Sequence, residues 1–154
     1  MILKIIFHIF IIILLTVLTQ IGGVIYLISL FFVRNVSKKR TRLFLVFSTL
    51  YLLTTFLIVP NVAPFFGREK VTESKTVKAH NFFYKLANRN YVKPKLNKII
   101  TKVGNQFEKK NNGFLLIYLD ANFPFFDGFP LLPHLSHNDG EKIDISLIYA
   151  ENGK

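Results

Sequence analysis

The stretch that decides the fold is IIFHIFIIILLTVLTQIGGVIYLISLFFV, residues 5–33, whose 29 residues include no Asp, Glu, Lys or Arg. A helix of that length would rise about 44 Å at 1.5 Å per residue. The hydrocarbon core of a bilayer is about 30 Å thick, so such a helix can cross it with some tilt. The stretch therefore predicts a first membrane span.

A cleaved secretory signal is the alternative, because Lys4 precedes the apolar run as a basic residue does in signal peptides. The run is much longer than the apolar core of a signal peptide, and no small-residue cleavage site follows it. We therefore favour a span. Gln20, Gly22 and Gly23 interrupt the run, and we interpret the small residues as a face on which a second helix packs closely.

A second apolar run covers residues 43–66, LFLVFSTLYLLTTFLIVPNVAPFF, and is also uncharged. Its length predicts a second span. Pro60 and Pro64 are expected to mark the point where the chain leaves the membrane, because proline disrupts a continuing helix.

The segment between the two runs, RNVSKKRTR at residues 34–42, is strongly basic. Alone it could bind nucleic acid, but as a short loop between two spans it is better explained by the positive-inside rule. This rule places the loop in the cytoplasm and both termini outside. The residues that determine this predicted topology are Arg34, Lys38, Lys39, Arg40 and Arg42.

The charges divide the chain into two parts near Gly67. Residues 1–66 contain six Lys or Arg and no acidic residue, whereas residues 67–154 contain fourteen basic and nine acidic residues, a net charge of +5. The first part is predicted to be a two-span membrane hairpin, and its partner is the lipid bilayer. The positive charge of the second part is compatible with a position next to anionic lipid or an anionic polymer. The absence of cysteine decides nothing about the compartment.

Residues 67–92 are expected to form a juxtamembrane linker, and residues 93–154 a small, incomplete α+β domain. The pattern in 93–113 predicts an amphipathic helix that packs on a sheet or, as a weaker alternative, lies on a membrane surface. Residues 113–123 and 142–150 read as two strands, separated by a long loop rich in Pro, Gly and Phe. The apolar stripe of the helix consists of Leu96, Ile99, Ile100, Val103 and Phe107.

The loop contains PHLSHNDGEKID, residues 133–144, in a chain with only four histidines. An imidazole and a carboxylate are suitable ligands for one metal ion. His137 precedes a turn in which Gly140 can take a positive φ, and Asp144 opens the following strand, from which it can point back at the same place. The spacing is therefore compatible with part of a metal site.

This pattern, His-x-Ser-His-x-x-Gly-x-x-x-Asp, resembles the first zinc motif of the metallopeptidases that cleave cell-wall peptides, with the penicillin-insensitive murein endopeptidases the most similar group. The resemblance covers about a dozen residues. It implies a zinc ion held by His137 and Asp144, with His134 lining the site, Ser136 steering the loop and Gly140 making the turn. It further implies peptidoglycan peptides as substrates; with the topology predicted from the basic loop, the expected location is the bacterial inner membrane with the C-terminal part extracytoplasmic.

The chain departs from that family after Asp144, because a second motif that would bring the third ligand and a general base is absent. His8 lies in the first span and His80 lies upstream, and only Glu141 and Glu151 remain as nearby carboxylates. An arginine often found before the histidine motif has no counterpart, since Phe123 stands there.

Three interpretations follow from this incomplete zinc site. The chain is an inactive fragment of a membrane-anchored zinc peptidase, a non-catalytic membrane protein with a small binding module, or a structural two-span anchor whose histidines are ordinary loop residues. For the first, the chemistry would be metal-assisted amide hydrolysis, and we expect weak or no activity from these 154 residues.

Overall fold

A computed structural model describes residues 2–34, 38–110 and 115–148, with the side chains of residues 147 and 148 excluded. The chain forms two compact units, Met1–Val59 and Pro60–Lys154. The first is helical and the second is a small α+β unit. Two helices are long and apolar enough to cross a membrane, Ile2–Thr19 and Lys39–Phe66, with mean hydropathies of 2.7 and 2.1.

The apolar stretch at residues 5–33 is not one helix, so the prediction of a single continuous span is wrong. Helix α1 covers Ile2–Thr19 and helix α2 covers Gly22–Phe32. Gln20 between them has a φ of 66°, in the left-handed region, which ends the first helix. The hydroxyl of Thr19 accepts a hydrogen bond from the Gly22 amide at 2.9 Å, which stabilises the beginning of α2. Gln20, Gly22 and Gly23 mark this place in the sequence, but hydropathy does not distinguish a helix-packing face from a helix break.

The glycines permit α2 to turn back against α1. A Cβ atom at Gly23 would lie 2.6 Å from the carbonyl oxygen of Ile12 and would collide with the Thr16 hydroxyl. Further along, the Tyr26 hydroxyl lies 2.8 Å from Nδ1 of His8. As α2 advances, its contacts therefore move backwards along α1, and the two helices are antiparallel. The interpretation of the glycines as a close-packing face is confirmed, with α1 as the partner.

Helix α3, Lys39–Leu53, packs against α2. The Tyr26 ring meets the Phe47 ring edge-on at 5.9 Å, and Phe47 in turn stacks on Tyr51 at 5.6 Å. The Tyr26 ring therefore packs α2 against α3, while its hydroxyl contacts His8 of α1.

The helical path of α3 continues through a π-helical turn, Thr54–Ile58, then α4, Val59–Val62, and a 3₁₀ turn, Ala63–Phe66. Pro60 thus lies inside the helix and does not mark its end. A proline ring would clash with the carbonyl four residues earlier in a regular α-helix, and the wider π turn just before Pro60 relieves that clash. Pro64 lies in the last turn, and Gly67, with a φ of +68°, ends it.

The second unit contains a three-stranded sheet of order β2–β4–β5. Strand β2, Val77–Ala79, runs parallel to β4, Leu115–Tyr118, which is antiparallel to β5, Ile145–Ile148. Two short strands, β1 at Glu69–Lys70 and β3 at Tyr91–Val92, form a separate antiparallel pair. The core beneath these elements consists of Val71, Val77, Val92, Ile100, Leu116, Tyr118 and Ala121.

Residues 67–92 are not the linker expected from their charge. They supply β1, β2, β3 and the short helix α5, Phe82–Leu86. Val77 and Val92 are fully buried in the core, and Val77 lies there because β2 pairs with the distant β4. Strands of two or three residues are too short to produce an alternating pattern in the sequence.

Helix α6 covers Pro94–Lys110 and packs on the sheet unit as predicted, with Leu96, Ile100 and Val103 of the predicted stripe against the core. The other two stripe residues, Ile99 and Phe107, are exposed, and the polar Asn97 and Gly104 are buried in addition to Ile100. The Asn97 side chain accepts from the Thr72 amide at 2.9 Å and donates to the Lys70 carbonyl at 3.1 Å, so its burial is compensated. A Cβ at Gly104 would lie 2.8 Å from the Val77 side chain, so glycine is what lets α6 approach β2.

Candidate functional site

The motif lies in the loop of residues 119–144, which leaves the end of β4 and returns to the start of β5. The backbone ladder between these strands continues for two more hydrogen bonds. The Leu119 amide donates to the Asp144 carbonyl at 2.9 Å, and the Asp144 amide donates to the Asp120 carbonyl at 2.7 Å. Asp144 is therefore held at the strand entrance, where the sequence places it, directly beside the residue that follows β4.

His137 is the buried member of the motif, with 7% of its side chain exposed. Its Nδ1 lies 3.1 Å from the carbonyl oxygen of Ala121. Because a carbonyl oxygen can only accept, Nδ1 carries a proton, and a neutral ring then has its lone pair on Nε2. Nε2 faces Oδ1 of Asp144 at 3.2 Å. The backbone thus orients the imidazole toward the carboxylate in the manner common among metal-binding histidines.

Two arrangements are compatible with this geometry. A neutral imidazole lone pair facing a carboxylate oxygen is unfavourable unless a proton or a cation lies between them. Two ligands of a tetrahedral zinc ion, each about 2.0–2.1 Å from the metal, are separated by about 3.3 Å. The 3.2 Å between His137 and Asp144 fits two such ligands, and it equally fits a pair of imidazolium and carboxylate.

His134 lies at the mouth of the site. Its Nδ1 is 3.6 Å from Oδ2 of Asp144, and its ring centroid is 5.5 Å from that of His137. Half of the side chain is exposed, unlike that of His137. The structure therefore brings the three motif residues together, with His137 inside and His134 at the surface.

A complete metal centre is not present in the described ranges 2–34, 38–110 and 115–148, where no group of three or more His, Cys, Asp or Glu residues is arranged to hold an ion. His8 is engaged with Tyr26 in the helical unit. The exposed Glu141 carboxylate pairs with the Lys93 ammonium at 3.1 Å. Glu151, the other candidate carboxylate, lies outside the described residues.

Gly140 makes the turn between the histidines and Asp144, with a φ of +77°, the left-handed conformation expected for it. Its amide donates to Oδ1 of Asn122 at 3.0 Å. The turn also packs on the buried Arg68, because a Cβ at Gly140 would lie within 2.6–2.7 Å of the Arg68 guanidinium. Ser136 is exposed, and its carbonyl accepts from the Lys142 ammonium at 2.9 Å. Ser136 therefore contributes to the loop conformation through its backbone carbonyl.

Asn122 is a site residue that the sequence analysis missed. It is fully buried, and its Nδ2 donates to the carbonyl of Lys142 at 2.7 Å while its Oδ1 holds Gly140. Both ends of the 140–142 turn are thus fixed by one side chain. The signal was present in the sequence LDAN at residues 119–122, where polar residues directly follow an apolar strand.

A buried ion pair lies behind the histidines and was also missed. Nε of Arg89 donates to Oδ1 of Asp120 at 2.9 Å, and the second guanidinium nitrogen pairs with Oδ2. Burial raises the pKa of the Asp120 carboxyl, and the Arg89 guanidinium, His137 and His134 oppose that rise. The negative charge of Asp120 thus acts on the same space as the two imidazoles. Arg89 and Asp120 are 31 residues apart, so their spacing gives no local signal.

Comparison of the chain with protein-family models, with curated proteins and with solved structures gives no match.

Proposed function

We propose that the chain is a membrane-anchored protein whose α+β unit binds zinc through His137 and Asp144, with chemistry related to that of cell-wall metallopeptidases. The observation that carries the proposal is the 3.2 Å approach of His137 Nε2 to Asp144 Oδ1, with Nδ1 of the same ring held by a backbone carbonyl. A fixed tautomer with its lone pair aimed at a carboxylate is the environment that a zinc ligand needs.

The placement in a membrane is supported by the surface of the helical unit. Helix α1 has no buried residue, and its large apolar side chains are exposed along its length, with Phe7 59% and Phe10 61% exposed. Exposed apolar surface of this extent is unfavourable in water and suits a lipid environment. Together with the resemblance to cell-wall metallopeptidases, this surface leads us to propose that the membrane is the bacterial inner membrane.

The topology that we propose differs from the one expected for a single first span. Because α2 folds back on α1, Lys4 lines the same cavity as Arg34, Lys39 and Arg40. All four cations then lie at one end of the helical unit, which the positive-inside rule assigns to the cytoplasm. In this topology the N-terminus is cytoplasmic, and the chain after Phe66 remains extracytoplasmic.

In the proposed site, His137 and Asp144 would hold the ion, and His134 would line its solvent side. Bound zinc would polarise a peptide carbonyl and acidify a water molecule. A catalytic zinc site normally has three protein ligands, and the described residues offer two, with no carboxylate placed as a base. We therefore expect loose zinc binding and weak or no cleavage of peptidoglycan peptides by these 154 residues; turnover of purified murein would contradict this expectation.

Zinc titration of the purified chain in detergent, by equilibrium dialysis, tests the proposal. We expect one zinc ion per chain, and a loss of affinity of at least about tenfold in both His137→Ala and Asp144→Asn. His80→Ala is the matched control, since it removes an exposed imidazole from the same unit outside the motif. Absence of zinc binding, or an equal loss in the control, would contradict the proposal.

The alternative function is a non-catalytic membrane protein with a small extracytoplasmic module. The same 3.2 Å distance favours it, because a protonated His137 would form an ordinary ion pair with Asp144. On that alternative, both variants would destabilise the loop, and neither the chain nor its variants would bind zinc.

A further inference from the structure

We propose that the helical unit binds a single phospholipid carrying a net negative charge, in a cavity between α1, α2 and α3. This inference rests on the membrane placement proposed above and is independent of the zinc site. The cavity has a volume of about 1310 Å³, and its lining residues belong to the ranges 3–34 and 39–43. Sites for small-molecule ligands typically span about 300–1,000 Å³, so the cavity is large enough for a lipid segment.

The wall of the cavity is apolar. It includes Ile6, Phe7 and Phe10 of α1, Leu30 of α2 and Leu43 of α3. Side chains of this kind pack against acyl chains and offer no group to a soluble polar ligand. The interior therefore favours the hydrocarbon part of a lipid.

The rim is cationic. Lys4, Arg34, Lys39 and Arg40 come from three different helix ends and converge on this one cavity. Residues 1–66 contain no Asp or Glu, so this part of the sequence supplies no carboxylate that could neutralise them. Arg34 also lies over the Phe31 ring at 5.8 Å, which orients its guanidinium. Charge complementarity thus calls for an anionic headgroup.

One polar pair lies in the otherwise apolar wall, where Nδ1 of His8 and the Tyr26 hydroxyl are 2.8 Å apart. The pair joins α1 to α2 beneath the cationic rim. On α1 and α2, apolar residues such as Ile6 and Leu30 lie between the cations of the rim and this pair. The apolar wall therefore begins directly below the cationic rim, as acyl chains lie below a headgroup, and basic pockets between membrane helices commonly bind anionic headgroups.

Native mass spectrometry of the full chain in a neutral detergent tests the proposal, with two probes that share the same acyl chains. We expect dioleoyl phosphatidylglycerol to bind about tenfold more tightly than dioleoyl phosphatidylcholine. An excess of inorganic phosphate should not displace it, because the acyl chains contribute to binding. Equal affinity for the two lipids, or displacement by phosphate alone, would overturn the proposal.

A matched pair of double variants separates a site from general surface attraction. Arg34→Gln/Arg40→Gln removes two cations that line the cavity, and we expect about a tenfold loss of phosphatidylglycerol affinity. Lys38→Gln/Arg42→Gln removes the same charge from the same segment, but neither residue lines the cavity. It should change the affinity less than about twofold. Equal losses in the two double variants would overturn the proposal.

Carbonate extraction of membranes from cells that express the chain tests the membrane placement separately. It shows whether a failed lipid experiment contradicts only the lipid site or the membrane placement as well. A chain that resists extraction and shows no lipid preference retains its membrane placement and loses the lipid site. A chain released by carbonate loses both. Zinc titration of the α+β unit is unaffected by either outcome.

Discussion

At the residue scale, Asn122 and Gly140 show how the loop is held. The Asn122 side chain bonds to the Gly140 amide and the Lys142 carbonyl, and the turn packs against the buried Arg68 guanidinium. The motif spacing predicted the turn at Gly140, because a glycine there is a local feature. It could not predict Asn122 or Arg68, whose contacts with the turn depend on how the chain folds over itself.

The lowered pKa of the Glu73 carboxyl predicts how the stability of the fold depends on pH. Burial raises the pKa of its carboxyl, but hydrogen bonds from the Lys85 ammonium at 2.6 Å and the Tyr118 hydroxyl at 2.8 Å, with the Lys85 charge, outweigh burial and lower the pKa below 4.5. A carboxyl with a lowered folded-state pKa stabilises the fold above its unfolded pKa. That stability is lost as the pH falls through the folded value.

We therefore expect Glu73→Gln to reduce the free energy of unfolding at neutral pH by about 1 kcal/mol. The variant should also lose less stability than the parent chain between about pH 6 and pH 3. Denaturant unfolding in detergent, followed by tyrosine circular dichroism, measures both effects. Glu108→Gln, at an exposed position on α6, is the control. A parallel pH dependence in the parent chain and Glu73→Gln would refute the assignment.

At the scale of elements, the α1–α2 hairpin depends on the absence of a side chain at Gly23. A Cβ there meets the Ile12 carbonyl oxygen, a backbone atom that cannot move without shifting α1. We expect Gly23→Ala to separate the helices and cost about 1–3 kcal/mol despite the better helix propensity of alanine. Thermal unfolding of the helical circular dichroism signal measures the loss.

Val24→Leu is the control for that variant, since it adds volume at an adjacent position that is 59% exposed. Its melting temperature should stay close to that of the parent chain. A melting temperature of Gly23→Ala equal to that of the control would show that the close approach of α1 and α2 contributes nothing.

At the scale of the whole molecule, the proposed topology predicts which parts of the chain are accessible from outside the cell. The sequence contains no cysteine, so a single introduced cysteine reports on one position without background labelling. Single cysteines at Ile2, Lys38 and Lys98 report on the N-terminus, the basic loop and α6. In intact cells we expect an impermeant maleimide to label Lys98→Cys and to leave Ile2→Cys and Lys38→Cys unlabelled. Labelling at both Ile2→Cys and Lys98→Cys would instead indicate a first helix that crosses without returning.

The sequence by itself determined the division of the chain into an apolar part with two long helices and a basic α+β part, and it located α6, β4 and β5. Hydropathy and periodicity are properties of neighbouring residues, so a window of sequence contains them. It also determined the spacing that allows His134, His137 and Asp144 to meet.

Only the tertiary structure decided where α1 ends, why residues 67–92 belong to the α+β unit, and why α6 buries Asn97 and Gly104 while Ile99 and Phe107 stay exposed. The break at Gln20 depends on glycines that fit against Ile12 and Thr16, and β2 is a strand only because β4 pairs with it. The surroundings of the histidines depend in the same way on Arg89, Asp120 and Asn122. These features arise from contacts between residues far apart in the chain, whose energies no local pattern contains.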